Sequence, residues 1–327
     1  MPDPAPLLSS LLALQAPGGA FPSQVEGASG TVADETCFVT AQVALILARM
    51  SSAPDSPVVS GGPVATGRLA EALHRALDFV GSCESPDVPG AFRFYPAGLA
   101  TPRLPIELAA DADDTALAWM ALVAGGRRSH AEAGAALLQL LPRFACGPAR
   151  RGDPPFVRAP LLRTWVGGGE PDPVDLIVNI NMAAALALCA PASDPAVGEA
   201  AEAIAARVVA AFAGHEPDRS LPRAFAPYYA NPAEAGIALE RALDCGAAGL
   251  APLGPRLLPL ADRDREAGRP ASRPLYCNAH GRPLWRAPAL QLARHAADTL
   301  ALSFDQPFSP PSISGGSHDF DAQVRPC

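Results

Sequence analysis

The chain has 327 residues, 49% of them hydrophobic, and a formal net charge of −8. This length is enough to bury a large core, and the acidic balance without a basic stripe argues against nucleic acid as a partner. All 25 basic residues are arginine, which excludes Schiff-base and general-base chemistry by lysine. No dinucleotide fingerprint or phosphate-binding glycine loop is present, so no nucleotide cofactor is expected.

The cysteines and the N-terminus bear on location. Seven cysteines, several within apolar runs such as that around Cys189, predict buried, reduced thiols in a cytoplasmic protein. The segment after Met1 lacks a basic n-region, so secretion is not expected. No uninterrupted apolar run of ~20 residues predicts a membrane-spanning helix. Peripheral membrane contact, for delivery of an oily substrate, stays open.

The predicted elements are helices of two kinds. A polar cluster opens an apolar, alanine- and leucine-rich helix at five places, which are Phe38–Met50, Ala116–Ala124, Met182–Ala190, Ala235–Leu243 and Ala289–Ala297. Between them lie amphipathic helices at Thr66–Ser82, Ser129–Phe144 and Val197–Ala213, with a weaker one at Leu250–Asp264. No strand pattern and no second domain boundary is found.

Two helices per unit, repeated at intervals of about 50–75 residues, are typical of a helical repeat array. We predict an all-α fold in which helical hairpins close into an α/α barrel, or toroid, as one domain over residues 1–305, followed by an extended or disordered tail over 306–327. The apolar helices would lie inside and begin at one end. That end would collect Glu35, the Asp111–Asp114 cluster, Asn179, Asn181, Glu234 and Trp285.

The most informative stretch is Asp111-Ala112-Asp113-Asp114-Thr115-Ala116, which opens the second apolar helix. Three carboxylates this close repel one another, so at least one is expected to keep its proton at neutral pH. A protonated carboxylic acid beside an apolar cavity suits acid catalysis on a hydrophobic substrate. The alternative is a helix cap with extra acidic residues in its first turn.

This hexapeptide resembles the DxDDTA motif of class II terpene cyclases, the superfamily of squalene–hopene and diterpene cyclases. The segment from Gln15 to Phe21 is similar to the QxxxGxW repeat of that superfamily, with Phe in place of Trp. The resemblance implies an α/α barrel, an isoprenoid substrate, and Asp113 as the acid that protonates an alkene or epoxide, supported by Asp111 and Asp114. Two features depart from the family: there is room for one barrel, and only 6% of residues are aromatic. One barrel must enclose the substrate alone or form a homodimer.

Aromatic and basic residues near the predicted inner ends are candidates for substrate binding. Aromatic faces can stabilise a carbocation, and the candidates are Tyr95, Trp119, Trp165, Tyr228 and Trp285. Arginine forks suit a diphosphate, and the candidates are Arg93 and Arg286, with Arg163 and Arg223 in the same loops. The alternatives are core packing for the aromatics and loop ion pairs for the arginines.

Asp175, Asn179 and Asn181 form a second cluster ahead of a buried helix. Their oxygens could hold Mg²⁺ with a diphosphate, or they could cap the helix and tie loops together. Cys277 and His280 have a CxxH spacing, which leaves a zinc site or a buried thiol with a loop histidine as alternatives.

Three functional hypotheses follow. The first is a class II, protonation-initiated terpene cyclase acting on a linear prenyl diphosphate or related isoprenoid. The second is a carbohydrate-active hydrolase or lyase on the same toroid, with Glu35, Glu234 and Asp113 as acidic residues. The third is a non-catalytic helical-repeat binder of an apolar ligand.

Overall fold

The structure, a computed structural model, describes residues 5–27, 30–52, 63–97, 108–168, 172–213 and 221–300. The predicted tail over 306–327 lies outside the described residues. The described chain is mostly helical.

All the predicted helices are confirmed, and one helix at the start was not predicted. The α-helices are α1 Ala5–Ala13, α2 Cys37–Ser52, α3 Pro63–Ser82, α4 Ala112–Ala124, α5 His130–Phe144, α6 Leu176–Cys189, α7 Pro195–Phe212, α8 Ala233–Asp244, α9 Gly254–Glu266 and α10 Pro288–Thr299. The weak prediction at Leu250–Asp264 corresponds to a short 3₁₀ turn, Ala248–Leu253, that runs into α9.

The apolar and amphipathic helices occupy different positions. Helix α2 packs against α4, α4 against α6 and α6 against α8, while α10 packs against α2. Helices α4 and α6 are buried along nearly their whole length, as expected for helices that are hydrophobic on every face. The amphipathic helices flank this series: α3 packs on α2 and α4, α5 and α7 on α6, and α9 on α8.

The prediction of no strands was wrong, because loops ahead of several apolar helices pair into short strands. The strands are β1 Ser23–Gly27, β2 Gly30–Asp34, β3 Phe92–Arg93, β4 Ala110–Asp111, β5 Tyr276–Cys277 and β6 Leu284–Arg286. They form an antiparallel sheet of order β2-β1-β6-β5 and a β3–β4 pair. Segments of two to five residues are too short for an alternating pattern to show. Because β2, β4 and β6 lead into α2, α4 and α10, the pairing fixes where those helices begin.

The Gln15–Phe21 segment ties the loop after α1 to α3. The Gln15 amide donates to the carbonyls of Gly19 (2.9 Å) and Ala72 (2.8 Å), and its oxygen accepts from Arg75 (2.6 Å). Gly19 has φ +94°, and a Cβ there would lie 2.2 Å from the Arg75 carbonyl oxygen. Only glycine tolerates both demands. The motif therefore has a structural role in this chain.

The six cysteines in the described part are buried and free, as predicted. None of the helices in those ranges combines the length and hydropathy needed to cross a membrane.

Candidate active site

The three carboxyl groups of the DxDDTA-like motif lie at the junction of β4 and α4. Asp111 ends the strand with φ −130° and ψ 162° and caps the helix, its side chain accepting from the Asp114 backbone N–H at 2.8 Å. Thr115 donates to the Asp111 carbonyl oxygen (2.5 Å) and accepts from the Phe92 N–H (2.9 Å). Asp111 is therefore the residue that caps the helix. Asp113 and Asp114 do not cap it, so their carboxyl groups are available for acid chemistry.

Burial governs the protonation of this cluster. Removal from water raises the pKa of Asp111 to about 7, although its hydrogen bonds with Asp114 act in the opposite direction. Burial raises the pKa of Asp114 well above its usual range, and the nearby Asp111 carboxylate raises it further. Among the described residues, nothing hydrogen-bonds Asp114 Oδ1, which is buried. These directions support the expectation that at least one carboxyl of the cluster is protonated near neutral pH.

Asp113 has a different environment from its two neighbours. Burial raises its pKa, but hydrogen bonds from the Tyr229 hydroxyl to Oδ2 and from the Asn181 amide to Oδ1 (2.7 Å) lower it in part. Its exposed fraction is 7%, against 3% for Asp111 and 2% for Asp114. Asp113 is thus the carboxyl of the three that has most access to a small molecule.

All three carboxyls line a cavity of about 400 Å³, within the range of ~300–1,000 Å³ usual for small-molecule sites. Seven of its other lining residues are aromatic: Phe38, Phe94, Trp165, Tyr228, Tyr229, Tyr276 and Trp285. Three of the four tyrosines and two of the three tryptophans in the chain are in this set. The low aromatic content is therefore concentrated at one place.

Each of these seven rings contacts at least one other. Tyr276 stacks on Trp285 with centroids 5.4 Å apart and planes at 11°. Phe38 contacts Tyr276 at 4.9 Å and Tyr229 at 6.0 Å, and Trp165 meets Tyr228 edge to face at 6.3 Å. Such an array presents several π faces, which attract positive charge.

Three of the predicted aromatic contacts, Trp165, Tyr228 and Trp285, line the cavity, and two do not. Trp119 is on α4, but its Nε1 donates to the Gly90 carbonyl oxygen (2.8 Å) and its ring packs beside Phe92. Tyr95 donates to Asp34 Oδ2 (3.0 Å), which also accepts from Trp285 Nε1 (2.7 Å). Trp119 is therefore a packing residue, and Tyr95 belongs to the layer behind the cavity wall.

Three of the four arginines considered for diphosphate binding are ion-paired within the protein, and the fourth binds a backbone carbonyl. Arg93 contacts Asp87 at 2.8 Å and Arg286 contacts Glu26. Arg163 pairs with Asp153, and Arg223 donates to the Ala279 carbonyl oxygen at 3.0 Å. None of them lines the cavity in the described part of the chain, so the structure supports the loop ion-pair alternative for Arg93, Arg163 and Arg286, and a loop role for Arg223.

The three residues considered for Mg²⁺ face protein donors. Asp175 caps α6, accepting from the N–H groups of Ile177 (2.8 Å) and Tyr228 (3.1 Å), and burial raises its pKa to about 8. Asn179 accepts from the Leu162 N–H at 2.8 Å, while the Asn181 oxygen accepts from Arg241 at 2.6 Å. The side chains do not converge with free oxygens, so this set does not fit Mg²⁺ in the arrangement seen. No group of three or more His, Cys, Asp or Glu residues with metal-binding geometry occurs within the described ranges, and Mg²⁺ stays a prediction.

Two important contacts were not predicted. Tyr229 is not among the aromatic candidates named from the sequence, yet it contacts Asp113 directly. Arg241 was not singled out, although it lies seven residues after Glu234, on the same face of α8. The available signal was the seven-residue spacing of Glu234 and Arg241, which places two charged side chains on one face of an otherwise apolar helix.

No family model matches the sequence, and no curated protein matches it. Among solved structures, a protein from Actinoplanes has 16% sequence identity and a TM-score of 0.45, covering 92% of this chain and 99% of that one.

Proposed function

We propose that this protein is a class II terpene cyclase that starts the cyclisation of a linear isoprenoid by protonating a carbon–carbon double bond from Asp113. The observation that carries the proposal is a cluster of three buried carboxyls in the wall of a cavity that is also lined by seven aromatic rings. The packing series α10–α2–α4–α6–α8, with the Arg294–Glu234 ion pair joining α10 to α8, supports a closed α/α toroid around it.

In the first step the Asp113 O–H bond breaks and its proton forms a C–H bond with the alkene π electrons, leaving a tertiary carbocation and a carboxylate. A second alkene attacks the cation and forms the ring C–C bond. Loss of a C–H proton, or addition of water, ends the reaction, and Asp113 regains a proton from solvent. The aromatic wall stabilises the intermediate cations by about 1–2 kcal/mol per desolvated ring without forming a bond to them.

The cavity volume indicates a short substrate. A volume of about 400 Å³ lies near the lower end of the ~300–1,000 Å³ range of small-molecule sites, which favours a C10 to C15 chain over a C30 one. The described lining contains no arginine, so a diphosphate would lie at the mouth and the hydrocarbon chain inside.

The test is incubation of the full chain with geranyl, farnesyl and geranylgeranyl diphosphate and with farnesol, each with Mg²⁺ and with EDTA, in H₂O and in D₂O. Cyclic products from the shorter chains are expected, and a product formed in D₂O carries one deuterium at the carbon that was protonated. Asp113→Asn should lower turnover by at least about 10²-fold with unchanged helical content. Asp194→Asn, at the exposed cap of α7, is the matched control and should be as active as wild type.

Absence of turnover with every isoprenoid, or full activity of Asp113→Asn, would overturn the proposal. Apolar-ligand binding that survives replacement of all three aspartates, without turnover, would instead favour the non-catalytic binder. The carbohydrate-active alternative has less support, because Glu35 is exposed and Glu234 is paired with Arg294, and neither lines the cavity. Peripheral membrane contact and a homodimer stay predictions.

A further inference from the structure

A chain of hydrogen-bonded polar side chains begins at Asp113 and crosses the space between the helices. Each of the helices α2, α4, α6, α8 and α10 contributes one or more residues to it. Asn181 donates to Asp113 (2.7 Å) and accepts from Arg241 Nη2 (2.6 Å). Arg241 Nη1 donates to Gln42 (3.3 Å), which also accepts from Arg294 (3.1 Å). Arg294 binds both oxygens of Glu234, at 2.7 and 2.8 Å.

Arg241 also lines a second, smaller cavity of about 60 Å³ with Arg49, Arg269 and Arg294. The other three arginines each contact a carboxylate directly: Arg49 with Asp244 at 3.1 Å, Arg269 with Asp298 at 2.6 Å, and Arg294 with Glu234. The described hydrogen bonds of Arg241 go only to the amides of Asn181 and Gln42, and its buried Nε has no partner within the described residues.

Arg241 is half-buried, and a guanidinium removed in part from water and bonded only to amides is costly unless a negative charge lies close by. Glu234 is already bound through both oxygens by Arg294. The carboxyl on the other side of Arg241 is Asp113, one amide away.

We propose that Arg241 is the counter-charge of the Asp113 carboxylate and acts on it through Asn181, so that the acid releases its proton more readily. Arg241 is a positioning residue in this account, because it touches Asn181 and not the substrate. The contribution of this coupling to catalysis rests on the proposed function. The electrostatic coupling itself does not depend on that function.

The charges around Asp113 determine the direction in which Arg241 changes its pKa. Burial raises its pKa, and the positive charge of Arg241 lowers it. The other titratable groups that face this region are Asp111 and Asp114 on α4, Asp175 at the start of α6, Glu234 on α8, Tyr229 in the loop before α8 and, behind Asp114, Cys37 and Cys83. All of these become negative or stay neutral. The other cation in this chain of contacts, Arg294 on α10, is bound to both oxygens of Glu234, whereas the positive charge of Arg241 acts on Asp113, so loss of Arg241 should make Asp113 a weaker acid.

The test reads the Asp113 carboxyl directly, by ¹³C NMR titration of full-length protein labelled at the aspartate side-chain carboxyl, with Asp113→Asn to assign the signal. Arg241→Gln should raise the pH at which Asp113 titrates by at least about one unit, and Arg241→Lys should restore part of the shift. Arg49→Gln removes an arginine from the same small cavity without touching Asn181, so Asp113 should titrate there as in wild type. An unchanged titration in Arg241→Gln, or an equal shift in Arg49→Gln, would overturn the proposal.

If Arg241→Gln does not fold, Asn181→Leu interrupts the same coupling while keeping the guanidinium. It removes the donor to Asp113 and should also raise the titration pH, and an unchanged value would count against the proposal. With an active enzyme, Arg241→Gln should lower kcat about tenfold with little change in KM. A shifted titration without any cyclase activity would refute the proposed function and leave the coupling standing.

Discussion

The molecule has two buried clusters of charge, and they are built in opposite ways. Around the cavity, Asp111, Asp113 and Asp114 crowd together, and none of them directly contacts an arginine within the described residues. Around α8, α9 and α10, the two buried carboxylates each meet an arginine, in the pairs Glu234–Arg294 and Asp264–Arg269. Paired buried charges hold helices in register, whereas buried like charges cost free energy of folding. We interpret the first cluster as the functional one for this reason.

The largest expected loss of stability follows from breaking an ion pair in the cluster around α8, α9 and α10. Glu234→Gln leaves the Arg294 guanidinium buried without its carboxylate, so we expect the free energy of unfolding to fall by about 3–5 kcal/mol in urea denaturation. The matched control is Glu26→Gln, which breaks the partly exposed Arg286–Glu26 pair and should cost less than about 1 kcal/mol. Equal losses in the two variants would contradict the distinction between a buried structural pair and a surface pair.

For the aspartate cluster at the cavity, removal of a carboxyl should stabilise the fold instead of destabilising it. Because the pKa of Asp114 is raised in the folded state, the unfolded chain ionises first as pH rises and the native state loses stability. Asp114→Asn cannot ionise, so its advantage over wild type should be absent below the ordinary carboxyl pKa of about 4 and grow by up to about 1.4 kcal/mol per pH unit above it.

Urea denaturation of wild type and Asp114→Asn from pH 4 to pH 8 measures this difference. Asp194→Asn changes the same side chain at an exposed helix cap and should show no such growth with pH. A variant that is less stable than wild type at pH 8 would show that the ionised Asp114 side chain supports the fold.

The smallest expected effect is on ligand binding in the cavity. A quaternary ammonium ligand of suitable size should bind more tightly than its neutral carbon isostere by about 1–2 kcal/mol, because seven aromatic rings and three carboxyls surround it. Trp285→Leu should remove part of that difference in calorimetric titration, and Trp119→Leu, outside the cavity wall, should leave it unchanged. Equal affinities for the charged and neutral ligands would argue against a cation-stabilising site.

The helices and the acidic motif could be predicted from sequence because their signals are local. Apolar runs behind polar openings located α2, α4, α6, α8 and α10, and three aspartates in four positions indicated unusual protonation. The short strands could not be predicted, since two to five residues give no period. The aromatic wall could be predicted in part, since Trp165, Tyr228 and Trp285 were among the candidates. Which rings contact one another could not be predicted, because they come from segments far apart in sequence and meet only through tertiary packing.

The contacts that complete the site join the two ends of the chain. Gln42 and Arg294 are 252 residues apart, and Asp34 and Trp285 are 251 apart. Contacts of such long range form late, because loop closure must come first. During synthesis, the acid cluster is therefore made long before the residues that complete its surroundings. Chemistry that depends on the finished site can begin only when the last helix has docked, and a chain released before α10 would carry the motif without the complete site.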